Sequence, residues 1–178
     1  MLYLYMTNYC EKKYDMFGLS SLFFFIPFIH SMIVLENKWD YKIFLLILPI
    51  ISYLCNTNYN NIITYCDHTT TFFIFISYLI IVNDESYATT LLLLYILEMM
   101  TLYQCHYSLM LGYIVIIYSI MIRLPLNQKY ILLTCAALAV FSYLRRDCYR
   151  PSYVRYTLVW HICNTAILCF GTNTMICL

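Results

Sequence analysis

The sequence predicts an all-α integral membrane protein, a bundle of about seven transmembrane helices joined by short loops. Of its 178 residues, 63% are hydrophobic and only 11% are charged, whereas roughly 25% of the residues in ordinary soluble domains are charged. The apolar stretches are continuous rather than alternating in short dyads, which favours helices over a membrane barrel. The polar segments between them are short, ENKWDYK and NDES among them, so consecutive helices are expected to pack as antiparallel neighbours.

The helices are predicted where polar residues interrupt the apolar sequence. Spanning a bilayer takes about 20 mainly apolar residues, and flanking Tyr and Thr residues extend the shorter apolar cores toward that length. The predicted spans are residues 17–35, 41–55, 68–83, 87–104, 107–123, 130–144 and 153–170. Pro27 and Pro49 lie inside the first two spans, where a membrane bundle tolerates a kink, and Glu98 lies inside the fourth. No stretch is polar enough for a separate water-soluble domain, so residues 1–178 are predicted to form one polytopic domain.

Charge and cysteine content exclude two other classes of protein. A net charge of +1 provides no clustered basic face, so nucleic acid is not expected as a partner. Most of the nine cysteines lie in apolar stretches, where a thiol behaves as a small hydrophobic group. No CxxC spacing occurs, and the sequence therefore does not indicate a structural zinc module.

The best candidates for a functional site are the ionisable residues inside apolar segments, because such residues are costly at membrane depth. In a seven-span protein with alternating direction, Ser52, Cys55, Asp67, His68 and His161 all lie toward the same face. His161 is eight residues into its span, about 12 Å deep at 1.5 Å per residue. A pocket of this kind suits a hydrolytic metal. We therefore predict Asp67 and Ser52 as candidate catalytic residues, and His161, His68 and Cys55 as candidate metal ligands.

A structural interpretation of the same residues stays open. Asp67 and His68 also fit the polar start of a helix, where an acidic side chain interacts favourably with the helix dipole. The depth of His161 requires a hydrogen-bond partner in either interpretation. Glu98 fits both a buried proton-carrying group and a side chain that reaches the membrane interface.

Four stretches resemble the helices of a known family. ISYLCN (51–56), IITYCDHTTTFFIFISYL (62–79) and YTLVWHICNTAILCF (156–170) are similar to the second, third and seventh helices of myomaker-like proteins, and LSSLFFFIP (19–27) is similar to the first. That family belongs to the seven-helix group that includes the alkaline ceramidases and the progestin and adiponectin receptors. The resemblance implies a seven-helix membrane bundle.

The same resemblance implies a zinc site with missing ligands. In that group, a helix-two histidine, a helix-three aspartate and two helix-seven histidines four residues apart surround a zinc ion. Asp67 matches the aspartate and His161 matches the second helix-seven histidine. Thr157 stands where the first should be, and Tyr53 or Leu54, depending on the alignment, stands where the helix-two histidine should be. The sequence is thus expected to be a degenerate member with a remnant of the metal site.

Three functions follow from these patterns. The first is a non-enzymatic, myomaker-like multi-pass membrane protein that acts in membrane remodelling or through helical partners, with no cofactor. The second is an intramembrane zinc hydrolase of lipid amides or esters. The third is a viral membrane accessory protein or a supernumerary subunit of a membrane complex, because high Tyr, Ile, Phe and Asn with little Gly is typical of an AT-rich coding sequence. The expected partners are the lipid bilayer and other membrane subunits or further copies of the chain. A host endomembrane or the plasma membrane is favoured over an organelle inner membrane.

Overall fold

The computed structural model describes residues 19–57, 61–101, 106–145 and 150–176 of the chain. Within these residues the fold is all-α, with seven helices and no strands, which confirms the helical part of the predicted fold class. A short 3₁₀ segment, Ser20–Phe24, leads directly into the first helix. The α-helices are α1 (Phe25–Val34), α2 (Trp39–Thr57), α3 (Asn61–Ile81), α4 (Glu85–Thr101), α5 (His106–Arg123), α6 (Leu126–Arg145) and α7 (Arg150–Ile176).

The helix bounds differ most from the predicted spans at α3 and α7. Helix α3 begins at Asn61 rather than at residue 68, because the apolar run that starts at Ile62 already continues the helical pattern. Asp67 and His68 therefore lie in its second turn, and the interpretation of them as helix-start residues is wrong. Helix α7 runs to Ile176, past the predicted end at residue 170. Residues 17–18 and 102–104 of the predicted spans lie outside the described residues.

Two long helices, α3 and α7, organise the packing. Helix α3 packs against α2, α4 and α5, and α7 packs against α1, α5 and α6. The interior they share is lined by large apolar side chains that are almost inaccessible to solvent, including Tyr41, Leu45, Phe72, Leu79 and Leu132. Such side chains gain dispersion contacts that are individually small and collectively large, and these contacts form only when the helices pack together.

Polar side chains reinforce the contacts of α7 near its C-terminal end, in its last five residues. The hydroxyls of Tyr78 and Thr174 lie 2.9 Å apart, and Tyr41 is hydrogen-bonded to Thr172. On the outer side, His30 Nε2 and Asn173 Oδ1 are 2.7 Å apart. These three contacts join α7 to α3, α2 and α1, so the C-terminal part of α7 is fixed by three separate helices.

A single glycine allows α3 and α5 to approach closely. A Cβ atom on Gly112 would lie 2.8 Å from Cδ2 of the buried Phe75 ring, whereas one on Gly171 would lie 3.3 Å from Ile120 Cδ1, the end of a flexible side chain. Most of the interior is filled by large side chains, as expected from a sequence without GxxxG. At Gly112, however, the packing depends on the missing side chain.

We expect Gly112→Ala to lower the free energy of unfolding by about 1–2 kcal/mol. Overpacking against Phe75 costs roughly 1–3 kcal/mol, and the better helix propensity of Ala returns up to about 1 kcal/mol. Gly171→Ala is the matched control and should be neutral or slightly stabilising. Chemical denaturation of both variants in mild detergent measures the difference. Equal stability of the two variants would contradict the close approach.

The outer surface of the bundle is apolar and its interior carries many polar groups. On α5, the outward residues Tyr107, Leu111, Ile114, Tyr118 and Ile122 are spaced by three or four positions and all are exposed. Exposed large apolar residues also occur on every other helix of the described chain. Buried polar residues include Ser20, Ser21, Ser31, Ser52, Thr70, Glu98, Ser108, Ser119, Ser142, Thr157, His161, Thr165, Thr172 and Thr174. Among the helices of the described residues, none combines the length and the apolarity needed to cross a membrane.

Candidate functional site

The 3₁₀ segment before α1 places two consecutive serines between α2 and α7. Ser20 Oγ lies 2.7 Å from His161 Nδ1 on α7, and Ser21 Oγ donates a hydrogen bond to Ser52 Oγ on α2 at 3.2 Å. All four residues are buried. The 3₁₀ segment packs against both helices, so the same short segment contributes a hydrogen bond to α2 and one to α7. We call these four residues the serine–histidine cluster.

His161 is held on more than one side. Its exposed fraction is only 3%, and the ring of Phe24 lies edge-on to it, with ring centroids 5.1 Å apart and planes at 66°. An unpaired imidazole at this depth would be costly, and the Ser20 hydroxyl supplies a partner. The sequence predicts that His161 needs a hydrogen-bond partner, and Ser20, 141 positions away in the chain, is one such partner.

The predicted site residues are distributed over three helices. Ser52 and His161 both contact the Ser20–Ser21 turn and so belong to one cluster. Asp67 and His68 lie on α3, which packs against α2, and both are partly buried, as is Cys55 on α2. The backbone carbonyl of Asp67 accepts a hydrogen bond from Thr71 Oγ1 at 2.9 Å, the usual arrangement for a threonine one turn further along a helix.

The donor set does not fit a zinc site of the expected kind. Among the described residues, no group of three or more His, Cys, Asp and Glu side chains is arranged to hold a metal ion, so His161, His68 and Cys55 do not form such a set. A catalytic zinc normally has three protein ligands and an open position. Thr157, at the place of the missing histidine, is buried with 1% exposure, and Tyr53 and Leu54 are more than one-third exposed. Zinc stays a prediction from the family resemblance.

Sequence reasoning missed the roles of several polar residues. Ser20 and Ser21 occur in LSSLFFFIP, the stretch similar to the first helix of the family. A pair of serines in an apolar run does not indicate which distant residues they will hydrogen-bond. Glu98 accepts hydrogen bonds from the backbone N–H groups of Tyr107 and Ser108 at 2.7 and 2.8 Å. It therefore caps the start of α5, a role that the two interpretations of this residue did not include.

Comparison of the chain with protein-family models, with curated proteins and with solved structures found no match.

The serine–histidine cluster gives a matched pair of substitutions. We expect Ser20→Ala to lower the free energy of unfolding by about 1–2 kcal/mol, because it removes a partner from a buried imidazole. Ser21→Ala removes a longer bond between two hydroxyls, and its cost should be no more than about 1 kcal/mol. Denaturation curves of both variants provide the comparison. If Ser21→Ala costs more than Ser20→Ala, the Ser20–His161 bond is not the principal contact of the cluster.

Proposed function

We propose that this protein is an integral membrane protein of myomaker-like architecture. In this proposal it is not an enzyme, and it acts in membrane remodelling or through helical partners in the same membrane. Its principal partner is the lipid bilayer of a host endomembrane or the plasma membrane, and other membrane subunits or further copies of the chain are the helical partners.

The observation that carries the proposal is the distribution of apolar and polar side chains. Among the described residues, exposed large apolar side chains lie on the outward faces. Most of the buried polar residues carry hydroxyls, and the others are His161, Glu98 and Lys42. On α5 the outward Leu111, Ile114 and Ile122 contrast with the inward Ser108 and Ser119. Water-soluble monomers rarely expose contiguous apolar patches of more than a few hundred Å², and the favourable medium for such a surface is hydrocarbon. Interior hydroxyls suit helix packing in lipid, where they hydrogen-bond across helices.

The proposal rests on this surface and not on any one helix. No described helix reaches the length and hydropathy of a membrane span by itself. Support therefore comes from the assembled bundle, in which exposed large apolar residues occur on every described helix, while buried Ser, Thr or His side chains, and Glu98 on α4, lie inside.

The arrangement around His161 supports a non-enzymatic role. Its Nδ1 atom is engaged by Ser20, its ring packs against Phe24, and a threonine replaces the histidine one turn before it. A catalytic imidazole needs access to the reacting groups, whereas a buried imidazole with a hydroxyl and an aromatic ring as neighbours suits the task of holding helices together. The serine–histidine cluster is thus proposed as a structural joint between α2, α7 and the first helix.

The two tryptophans offer a test of membrane insertion. Trp39 is 57% exposed at the start of α2, and Trp160→Phe leaves it as the single tryptophan, which can be excited selectively over the tyrosines. In vesicles, lipids brominated near the headgroup should quench Trp39 more than lipids brominated deep in the acyl chain, because a residue at the end of a spanning helix lies at the interface. Quenching by acrylamide alone, with no effect of either brominated lipid, would overturn the proposal.

A second experiment tests the absence of catalysis. We expect purified protein to contain far less than one zinc per chain, and its lipid-amide and lipid-ester hydrolysis to equal that of empty vesicles. The opposing result is stoichiometric zinc that is lost in His161→Ala together with turnover that is lost in Asp67→Asn. Asp67→Asn is informative because it preserves shape while removing the charge that a water-orienting residue needs.

A further inference from the structure

The inward face of α7 carries a row of polar side chains. Thr157, His161 and Thr165 are spaced by four residues, which places them on one side of the helix. Their exposed fractions are 1%, 3% and 7%. Each threonine therefore lies one turn, about 6 Å along the helix axis, from His161.

The hydroxyls of these two threonines differ from those of other helix threonines in the protein. Four threonines donate to the carbonyl four residues earlier, at distances from 2.8 to 2.9 Å: Thr71, Thr90, Thr134 and Thr172. Thr157 Oγ1 and Thr165 Oγ1 are buried and have no hydrogen-bond partner among the described residues. A buried hydroxyl without a partner costs roughly 1–3 kcal/mol, and the usual bond to the preceding turn would have avoided this cost.

We propose that Thr157 and Thr165 each bind a buried water molecule, so that His161 lies between two hydration sites inside the bundle. The ligand class follows from the groups present. A hydroxyl both donates and accepts a hydrogen bond, so its ligand also has to do both. Because large side chains fill the interior, the ligand also has to be small. Buried waters typically make about three hydrogen bonds to groups of this kind.

The proposed waters extend the serine–histidine cluster along α7. Ser20 engages His161 from the 3₁₀ segment before α1, and the two threonine sites lie one turn before and one turn after it. The polar interior of the bundle would then be hydrated on both sides of its histidine. Burial and hydrogen bonding alone define the two hydration sites, which are therefore independent of the proposed membrane role.

Water-edited solid-state NMR on the purified full-length protein tests the inference directly. Magnetisation is transferred from water to ¹³C-labelled threonine methyl groups, and Thr157→Val and Thr165→Val assign the two signals. Thr172 is the internal control, because it lies on the same helix, is fully buried and donates to Leu168 O at 2.9 Å. We expect the Thr157 and Thr165 methyl signals to build up several-fold faster than that of Thr172. Equal build-up at all three would overturn the proposal.

A pair of substitutions at residue 157 provides a second readout. Thr157→Ser keeps the hydroxyl, whereas Thr157→Val keeps the volume and removes it. We expect the transfer of water magnetisation to the His161 ring to fall severalfold in the valine variant and to stay at the wild-type level in the serine variant. The same transfer in both variants would mean that the Thr157 hydroxyl holds no water beside the imidazole.

Discussion

Glu98→Ala is expected to lower the free energy of unfolding by about 3–5 kcal/mol, the largest effect of any substitution considered for this protein. The Glu98 carboxyl accepts two backbone hydrogen bonds, from Tyr107 N–H at 2.7 Å and Ser108 N–H at 2.8 Å. Hydrogen bonds to charged groups contribute about 1.5–3 kcal/mol each. Because Glu98 is only 6% exposed and Ser108 only 2%, water cannot readily replace the acceptor of the Ser108 N–H, whereas Tyr107 is an exposed residue.

The position of this carboxyl explains why its loss should be severe. The first four N–H groups of a helix have no partner within the helix, and Tyr107 and Ser108 are the second and third residues of α5. A carboxyl at a helix N-terminus also interacts favourably with the helix dipole. Glu98 comes from the last turn of α4, so it both caps α5 and joins the two helices on either side of their connection.

Two companion variants sharpen the measurement. Glu98→Gln retains one carbonyl oxygen, and we expect about half the loss seen for alanine. Glu36→Ala removes an exposed carboxyl between α1 and α2, and it should change the free energy of unfolding by no more than about 0.5 kcal/mol. Denaturation of the three variants under one set of conditions provides the comparison. If Glu98→Ala and Glu36→Ala are equally stable, the capping role of Glu98 is wrong.

The number, type and order of the helices were predictable from the sequence, whereas their ends were less so. Continuous apolar runs and short polar connections are local properties, and they predict seven helices that the described residues contain. The start of α3 was misplaced because Asp67 and His68 interrupt the hydropathy without interrupting the helix. A polar residue in the second turn is compatible with the helical backbone, so composition alone does not mark the boundary.

The candidate site was predictable only in part, for a different physical reason. Burial of His161 and Ser52 follows from their positions inside apolar segments, and both are buried. Their partners do not follow. Ser20 and His161 are 141 residues apart, and Ser21 and Ser52 are 31 apart. A hydroxyl in a helix usually has a partner in its own backbone, so the sequence contains no signal that Ser20 bonds across the bundle.

The partners of the charged residues at the other end of the bundle were likewise not predictable from the sequence. Asp84 follows α3 and Arg123 is the last residue of α5, and alternating helix direction therefore puts both at one end. That they form an ion pair, with Arg123 Nη2 3.1 Å from Asp84 Oδ2, depends on the turn between α3 and α4. In this turn Asn83 adopts the left-handed conformation, with φ of 61°, which Asn tolerates better than most residues.

Arg123→Ala is expected to have the second-largest effect, a loss of about 2–4 kcal/mol in the free energy of unfolding. Breaking a buried ion pair by removing one partner costs roughly 3–5 kcal/mol. The expected loss in the free energy of unfolding is smaller here because about one-fifth of each side chain is exposed, 21% for Arg123 and 19% for Asp84. Solvent screens such partly exposed pairs. The guanidinium also donates to Ser119 O at 2.8 Å, Ser119 Oγ at 2.7 Å and Val82 O at 3.0 Å.

A double-mutant cycle separates the ion pair from the other contacts of Arg123. In Arg123→Ala, the Asp84 carboxylate keeps the hydrogen bond from Ser119 Oγ at 2.6 Å but loses its ion-pair partner, and the remaining charge is poorly compensated. Asp84→Asn combined with Arg123→Ala removes that charge as well, so the double variant should be more stable than the sum of the two single losses implies. Contacting charged residues usually show coupling energies of about 0.5–3 kcal/mol. Strict additivity would mean that Arg123 acts through its hydrogen bonds to Ser119 and Val82, and that the ion pair with Asp84 adds nothing to the free energy of unfolding.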